Sequence, residues 1–266
     1  MSERPLAIDL YCGLGGWTEG LLAEGWDVIG FDIEAHAYGG ERYPGQLVIQ
    51  DVLTLHGSQF KTADLIVGSS PCQQYSYMAM PWSKAKAKAA AIRADETGEL
   101  LRRLNELFLA QFRIQREASQ AARRHVPMVV ENVRGAQPWV GPAAWSYGSY
   151  YLWGDVPALM PPVVDGRKVP GFRFDGSGGS FQTASVEHHE HRGRKNTGGS
   201  WFKIGSPGQT VTGQNPDGRL WKRDPVASQT SRGPRRKAAS AKIAKIPLAL
   251  SRHIARVYKP RLEEAA

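Results

Sequence analysis

The sequence predicts an α/β fold in which a mostly parallel sheet is covered by helices on both faces. In the first 75 residues, short apolar runs alternate with helical segments, which is the pattern of βαβ units. The composition is globular, since 41% of the residues are hydrophobic and 22% are charged. A chain of 266 residues is long enough for one large domain with an insertion, or for a large and a small lobe that share one core.

The N-terminal elements follow one another closely. The segment "LAIDLY" (6–11) is predicted to be the first strand, "CGLGGW" (12–17) a tight turn, and "TEGLLAEG" (18–25) a helix that ends at Gly25. Three more strands are predicted, each ending in a polar or small residue: "DVIGFD" (27–32), "QLVIQD" (46–51) and "DLIVGSS" (64–70). Open α/β sheets bind ligands at this carboxyl edge.

The elements in the second half are longer or richer in aromatic residues. Residues 97–124 have apolar side chains at helical spacing and predict one long amphipathic helix. The segments "VPMVVEN" (126–132) and "SYGSYYLWG" (146–154) each predict one strand. Near the C-terminus, "KAASAKIAKIPLALSRHIARVYKP" predicts a helix pair that is broken near Pro247.

The composition changes near residue 160 and indicates three parts. Residues 1–160 carry the predicted sheet. Residues 161–230 are rich in Gly, Pro, Ser and His and predict a small, loop-rich lobe, and residues 231–266 are helical and return to the first part. Three histidines in "VEHHEH" raise the question of zinc, but no spaced cysteine or carboxylate completes four ligands, so we expect no metal.

Charge and cysteine content restrict the partners and the compartment. The net charge of +9 favours a polyanionic partner, with nucleic acid as the leading candidate and a basic enzyme with dispersed charge as the alternative. Two cysteines form no disulfide framework, and we expect free thiols. No apolar run reaches the length of a membrane span, and the N-terminus has no signal-peptide core, so we expect a cytoplasmic protein. We also expect a monomer that does not associate with membranes.

The first turn and the two following strands favour a nucleoside-containing cofactor. Glycines 13, 15 and 16 allow the backbone to approach a ligand closely, and Asp32 ends the next strand, where it can accept hydrogen bonds from a ribose. Asp51 ends the third strand, where it can receive an adenine amino group. The turn lacks the third spaced glycine of the dinucleotide fingerprint and the Lys-Ser/Thr of a phosphate loop, which favours a ligand without phosphates.

Cys72 and Glu131 lie at the same predicted edge. Cys72, in "SPCQQYS", follows the fourth strand in a loop, so two interpretations stand: a small buried residue, or a nucleophile working as the thiolate. Glu131, in "MVVENVRG", ends an apolar strand, where a carboxyl group can donate a proton or hold a heterocyclic nitrogen, or can pair with Arg134.

Together, "DLYCGLGGW", Asp32, Asp51, "SPCQQYS" and "VVENVRG" resemble the ordered motifs of the DNA cytosine-5 methyltransferases. The resemblance covers about residues 6–135 and returns weakly at the C-terminus. It implies a Rossmann-like fold of the S-adenosylmethionine-dependent methyltransferases, with 161–230 as the target-recognition region. It also implies methyl transfer from S-adenosylmethionine to C5 of a flipped cytosine, which leaves S-adenosylhomocysteine.

The resemblance also implies roles for individual residues. Cys72 would be the nucleophile, a protonated Glu131 would hold the base, and Asn132 would fix the strand end. The residues implied to bind the cofactor are Asp9, Tyr11, Cys12, Gly13, Leu14, Gly15, Gly16, Asp32, Ile33, Asp51, Val52, Pro71, Gln73 and Leu100. Those expected to bind double-stranded DNA are Gln74, Ser76, Arg134, Arg173, Arg192 and Arg194.

Two departures from the family pattern leave alternatives open. The segment "WSYGSYYLWG" has no arginine where the family has Gln-x-Arg-x-Arg, and Ala244 stands where the final motif has asparagine. Arg192 and Arg194 are alternative sources of the missing cation. RNA as the substrate, and nucleic-acid binding without turnover, are the two rival hypotheses.

Overall fold

The computed structural model describes residues 4–38, 40–76, 82–161 and 244–260, together with positions 237, 241 and 242. The strands in this part of the chain are β1 (Leu6–Leu10), β2 (Asp27–Asp32), β3 (Ala37–Tyr38), β4 (Glu41–Arg42), β5 (Gln46–Ile49), β6 (Leu65–Gly68), β7 (Met128–Asn132), β8 (Trp145–Tyr147) and β9 (Tyr150–Gly154). The helices are α1 (Gly16–Ala23), α2 (Trp82–Ala94), α3 (Glu99–Ala122), α4 (Gln137–Val140) and α5 (Leu248–Tyr258).

Seven strands form one sheet in the order β5-β2-β1-β6-β7-β9-β8. The five strands from β5 to β7 run parallel, whereas β9 pairs antiparallel with both β7 and β8. Strands β3 and β4 form a separate antiparallel pair. The predicted mostly parallel α/β sheet is therefore confirmed.

Alternate residues of the central strands pack against helices on opposite faces of the sheet. In β1, Ala7 contacts the cluster that includes α1 and α5, whereas Ile8 and Leu10 contact the cluster that includes α3. The fully parallel central strands are buried on both faces, which explains their nearly continuous apolar sequences. The largest side chains of the α1 and α5 face are Trp17, Trp26 and Tyr150.

One predicted strand is wrong in its extent. The aromatic run 146–154 predicts a single strand, but these residues form most of a hairpin. A turn that begins at Gly148 connects β8 to β9, which pair antiparallel. Gly148 has φ +62°, which glycine adopts without strain, and a two-residue turn of this kind joins antiparallel strands. The sequence pattern of aromatic residues hides the turn because both strands are equally rich in them.

Other boundaries differ by a few residues from those predicted. The long helix begins at Glu99 after Gly98, which has φ +71°. Strand β6 ends at Gly68, so Ser69 and Ser70 belong to the loop that carries Cys72. The second helix of the predicted C-terminal pair is α5, whereas most of the first falls outside the described residues.

The predicted 161–230 lobe lies, apart from residue 161, outside the described residues. The proposed division into 1–160, 161–230 and 231–266 therefore stays a prediction. Among the residues that the structure describes, no helix has both the length and the apolar character needed to cross a bilayer.

Candidate active site

The candidate site lies where the strand order reverses. From β1 the chain continues to β2 and β5 on one side, whereas β6 and β7 extend the sheet on the other. A crevice opens outside the carboxyl ends of strands at such a switch point. The predicted residues follow these strand ends: the glycine turn after β1, Asp32 at the end of β2, Asp51 after β5, Cys72 after β6, and Glu131 at the end of β7.

The glycine turn (residues 11–16) is held in an unusual backbone conformation. Tyr11, Gly13 and Gly15 have φ values of +55°, +52° and +78°. The left-handed region is costly for a bulky residue, and the hydroxyl of Tyr11 donates to the carbonyl of Leu107 on α3 at 2.9 Å. A non-glycine residue in this conformation is typical of sites where the backbone is held for a ligand.

The three glycines of the turn differ in how closely other residues pack against them. A Cβ on Gly15 would lie 2.4 Å from Cδ of Pro44, and a Cβ on Gly16 would lie 2.3 Å from the backbone nitrogen of Ile246. A Cβ on Gly13 would meet no atom of the described chain within 4 Å. Gly15 and Gly16 are thus required by the protein's own packing, whereas Gly13 borders free space at the sheet edge.

Asp32 is held as a carboxylate and tied to the turn. Its Oδ2 accepts the Gly13 N–H at 3.0 Å, and its Oδ1 accepts the Ile33 N–H at 2.8 Å. Burial would raise the pKa of Asp32, but hydrogen bonds from His36 and Gly13 outweigh it and lower the pKa. His36 Nε2 lies 3.4 Å from Oδ1, and this contact raises the pKa of the histidine. An ionised carboxylate can still accept hydroxyl donors through its remaining lone pairs.

The residues expected around an adenine form a second part of the edge. Asp51 caps the short 3-10 turn Val52–Thr54, and its Oδ1 accepts the Leu53 N–H at 2.9 Å. Val52 is fully buried, whereas Ile33 is 67% exposed and presents an apolar surface. Burial and the Asp51 charge raise the pKa of Tyr11, which keeps its phenol protonated.

Asp9 and Cys12 are buried in the fold. Thr18 Oγ1 donates to Asp9 Oδ2 at 2.6 Å and also bonds the Tyr43 hydroxyl at 2.7 Å, while Asp9 Oδ1 has no hydrogen-bond partner among the described residues. Burial raises the pKa of Asp9 to about 7. Burial also raises the pKa of Cys12, a 6% exposed thiol. We therefore assign Asp9 to a network beneath α1, where Thr18 is located.

The loop that carries Cys72 is anchored on both sides. Asn132 Nδ2 donates to the carbonyl of Ser70 at 3.0 Å and to its Oγ at 3.1 Å. The carbonyl of Cys72 accepts the N–H groups of Tyr75 and Ser76 at 3.0 and 2.9 Å. Cys72 itself is half-buried and does not form a disulfide. The structure thus brings the predicted Cys72 and Asn132 segments together through Ser70.

Glu131 and Asn132 end the central strand β7 in buried positions, with 4% and 1% of their surfaces exposed. Across the antiparallel pair they face Leu152 and Tyr151 of β9. The neighbouring Tyr150 is fully buried, and burial together with the Glu131 charge raises its pKa. The hairpin of β8 and β9 thus supplies Tyr147, Tyr150 and Tyr151 next to the end of β7.

The remaining predicted residues lie on more exposed surface. Leu100, in the first turn of α3, is 41% exposed, and its N–H donates to Asp95 Oδ2 at 2.7 Å. Gln74 accepts Lys88 Nζ through its side chain at 2.5 Å and through its carbonyl at 3.1 Å. Ser76 is half-buried, whereas the side chains left open to solvent are Pro71, Gln73 and Arg134. Arg173, Arg192 and Arg194 lie outside the described residues.

Sequence reasoning missed several residues that hold the site. His36 stands four residues after Asp32, a spacing that is only a weak signal. Thr18 and Tyr43 belong to different parts of the fold, so the spacing between them carries no signal. The bond between Trp17 Nε1 and Ser69 Oγ, at 3.0 Å, joins residues 52 positions apart.

A cavity of about 610 Å³ lies beside α1, and its lining includes Tyr43 and Pro44, which pack against Gly15. It is lined by Glu19, Gly40, Glu41, Arg42, Tyr43, Pro44, Gly45 and Lys245. Lys245 pairs with Glu19 at 2.6 Å and with Glu41 at 3.4 Å, so its charge is largely compensated within the protein. None of the predicted site residues that the structure describes lines this cavity, and we locate the candidate site at the sheet edge instead.

The N-terminal part of the chain is similar to one protein family. The family model described as C-5 cytosine-specific DNA methylase matches residues 6–90. No curated protein matches the chain. The matched segment contains the glycine turn, Asp32, Asp51 and Cys72.

Solved structures resemble the chain at low identity. Dnmt2 methyltransferase of S. pombe is 17% identical with a TM-score of 0.32, and the match covers 52% of this chain and 37% of that one. A prophage-encoded E. coli protein, described as a putative DNA modification methyltransferase, is 15% identical with a TM-score of 0.42 and coverages of 95% and 98%. DNMT2 of Spodoptera frugiperda is 12% identical with a TM-score of 0.43 and coverages of 96% and 99%.

The family match and the motif order agree on the same segment. The glycine turn, the two strand-ending carboxylates and the Pro-Cys-Gln loop occur in it in sequence and meet at one edge of the sheet. Over residues 6–90, the resemblance inferred from the motifs is therefore confirmed, because this part of the chain is similar to the C-5 cytosine-specific DNA methylase family.

Proposed function

We propose that the chain is an S-adenosylmethionine-dependent DNA cytosine-5 methyltransferase that works through a covalent Cys72 adduct. The observation that carries this proposal is the position of Cys72. Its loop follows β6 at the switch point of the sheet, beside the glycine turn and joined through Ser70 to the end of β7. The Cys72 thiol and the buried carboxyl group of Glu131 therefore lie at the same edge of the sheet as the glycine turn, which supports the proposal.

The chain's own residues fit the cofactor. The open space beside Gly13 leaves room for a ligand against the turn, and the ionised Asp32 can accept ribose hydroxyls. Asp51 and Val52 would border the adenine, with Leu100 as a further contact. When bound, S-adenosylmethionine supplies an electrophilic methyl group.

Cys72 and Glu131 would have separate roles in the reaction at the cytosine ring. The Cys72 thiolate adds to C6 of cytosine. The electron pair of the C5–C6 double bond is then shared by C5 and, through C4, by N3, which makes C5 nucleophilic. A protonated Glu131 hydrogen-bonds N3 and stabilises the charge that develops there. After methylation, loss of the C5 proton and release of the thiolate restore the double bond. Because C5 and C6 lie inside the base stack, the cytosine must be flipped out first.

Helix α2 supports a nucleic-acid substrate. It begins ten residues after Cys72, and its sequence "WSKAKAKAAAIRA" has four basic residues and no acidic one. The buried side chains Ala85, Ala89 and Ile92 form its inner face, so Lys84, Lys86 and Arg93 are exposed. A basic face beside the nucleophile suits phosphate contacts. By the same proposal, residues 161–230 form the target-recognition region.

Covalent trapping tests this proposal. Duplex oligonucleotides containing 5-fluorocytosine would be incubated with the full chain and S-adenosylmethionine, because fluorine at C5 cannot leave as a proton and the adduct persists. We expect a band resistant to denaturation with wild type and none with Cys72→Ser. A parallel arm with folded RNA distinguishes the two polymers, and adducts with RNA alone would overturn the DNA assignment.

Binding without any adduct would instead support a relative that has lost turnover. The control for folding is the melting temperature of Cys72→Ser, which should match that of wild type because Cys72 is only half-buried. Sequencing of methylated cytosines after expression in a methylation-free host would then give the target sequence.

A further inference from the structure

Helix α1 is joined to the Cys72 loop by a hydrogen bond between two side chains. Trp17, in the first turn of α1, donates through Nε1 to Ser69 Oγ at 3.0 Å. Ser69 directly follows β6 and precedes Cys72 by three residues. Trp17 is only 2% exposed and Ser69 is half-buried, so the bond is partly shielded from water and packing restricts the position of the indole.

The two serines before Cys72 are fixed from three sides. The Ser69 N–H donates to the carbonyl of Leu10, at the end of β1, at 3.2 Å. Asn132 holds Ser70 from the end of β7 through two hydrogen bonds. Trp17 adds the contact from α1. The start of the Cys72 loop is thus determined jointly by β1, β7 and α1.

The position of Trp17 depends in turn on the glycine turn. Gly15 is the N-cap of α1 with φ +78°, and Gly16 leaves space for the backbone of Ile246. Trp17 follows these two residues directly. The backbone of the glycine turn is therefore continuous with the first turn of α1, from which the indole reaches Ser69.

We propose that Trp17 and Ser69 are positioning residues that couple occupancy of the glycine turn to the order of the Cys72 loop. The inference rests on the proposed function, since it takes the turn as the cofactor site and Cys72 as the nucleophile. A ligand at the turn then favours the loop conformation in which Cys72 is held ready for attack, and the coupling is lost when the indole N–H is removed.

Hydrogen–deuterium exchange tests the coupling without requiring catalysis. The full chain would be compared with and without S-adenosylhomocysteine. In wild type, we expect protection both at residues 12–20 and at residues 69–76. In Trp17→Phe, which keeps an aromatic ring and removes the N–H, we expect protection at residues 12–20 to remain and that at residues 69–76 to disappear.

Trp26 provides a matched control. It is also fully buried, and its Nε1 donates to the carbonyl of Ala255 at 3.1 Å, away from the Cys72 loop. Trp26→Phe therefore removes an equivalent indole bond, and its exchange pattern at residues 69–76 should match wild type. An equal effect in both variants would mean that the change reflects general stability, and would overturn the inference.

Single-turnover adduct formation with the 5-fluorocytosine duplex gives the second readout. At saturating cofactor and DNA, Trp17→Phe and Ser69→Ala should each form the adduct about fivefold more slowly than wild type. A factor of this size corresponds to the loss of one neutral hydrogen bond. Their double variant should be no slower than either, because both remove the same bond. Affinities for cofactor and DNA should change less than about twofold, and Ser69→Thr, which keeps the hydroxyl, should restore the rate.

The two proposals fail in distinguishable ways. If wild type shows no ligand protection at residues 12–20 and forms no adduct, the proposed function is wrong. If wild type shows protection and adducts, and Trp17→Phe behaves identically, the function stands and the coupling is overturned.

Discussion

At the scale of single residues, the site combines groups kept charged with groups kept neutral. Asp32 is stabilised as a carboxylate by His36 and Gly13, whereas Asp9, in the adjacent strand β1, is buried against Thr18. The pKa values of the two carboxyl groups therefore differ because complete burial raises that of Asp9, which has a single hydroxyl donor, whereas the donors of Asp32 outweigh its burial. Within the described residues, Asp9 Oδ1 has no hydrogen-bond partner, which makes this position costly when ionised.

The raised pKa of Asp9 predicts a specific dependence of stability on pH. In the unfolded chain Asp9 loses its proton near the ordinary value of 3.8, whereas in the folded protein it keeps it up to about 7. Between these values the folded state binds more protons, so the contribution of Asp9 to stability is present at low pH and is lost as the pH rises to about 7.

Asp9→Asn removes this titration and keeps a polar group for Thr18. The urea unfolding midpoint of the variant would be measured relative to that of wild type at pH 5 and at pH 8. This difference should shift in favour of the variant at pH 8, because only wild type loses the contribution of Asp9. Comparing the variant with wild type cancels the other carboxylates, such as Glu24, whose pKa is lowered and whose contribution runs the opposite way. An unchanged difference between pH 5 and pH 8 would show that Asp9 is ionised throughout.

At the scale of elements, α2 and α3 differ in the acidic and basic residues that they carry. On α3, Arg102 and Arg103 both pair with Glu99, and Arg113 pairs with Glu117. Helix α2 has no carboxylate of its own, and its buried face consists mainly of small residues. A helix that exposes several basic residues close to the Cys72 loop is suited to contact a polyanion.

Removing lysine charges from α2 should weaken nucleic-acid binding and make it less dependent on salt concentration. In the double variant Lys84→Gln and Lys86→Gln, the slope of log Kd against log salt should fall by about 0.9 for each phosphate that is no longer neutralised. The melting temperature should be unchanged, since both side chains are exposed. Fluorescence anisotropy with a labelled duplex at several salt concentrations measures the slope.

Lys61→Gln is the control for this experiment. Lys61 is exposed and lies just before β6, at the amino end of the sheet, whereas Cys72 follows the carboxyl end. Lys61→Gln removes one charge, against two on α2, and should leave the slope unchanged. An effect half as large as that of the α2 variant would indicate that only the net charge of the protein matters.

At the scale of the whole molecule, the C-terminal helix completes the core of the N-terminal elements. Helix α5 packs on α1, and its Leu250 and Ile254 are fully buried in the same cluster as Trp17 and Trp26. Gly20 of α1 lies so close to α5 that a Cβ would come within 2.2 Å of Ser251 Oγ. The glycine turn therefore depends on residues that are far away in the sequence.

This dependence predicts a large decrease in stability on truncating α5 side chains. Leu250→Ala should lower the free energy of unfolding by about 2–5 kcal/mol, because it removes buried methyl groups and leaves a cavity. Leu248→Ala is the matched control, since that leucine is 49% exposed and should cost far less. Urea unfolding followed by tryptophan fluorescence measures both, and equal costs would show that α5 is not part of the cooperative core.

How much could be predicted from sequence depends on the range of the interaction. Strands β1, β2 and β6, helix α3 and the positions of Asp32, Cys72 and Glu131 followed from local patterns, because apolar periodicity and glycine turns act over a few residues. The β8–β9 hairpin did not, since its aromatic residues obscured the turn at Gly148. Helix α2 was also missed, because its buried face consists mainly of alanines and gives little hydrophobic contrast.

Local sequence is enough to set the order of strands and helices and the chemical groups at the strand ends, because these depend on intrinsic propensity and side-chain alternation. Which of these groups meet is a property of the tertiary fold. The bond from Trp17 to Ser69, the contact of Asn132 with Ser70, and the buried network of Asp9 and Thr18 join residues that are separated along the chain. Such contacts depend on strand order and packing across the sheet, which are set by the free energy of the whole fold and not by neighbours in the chain.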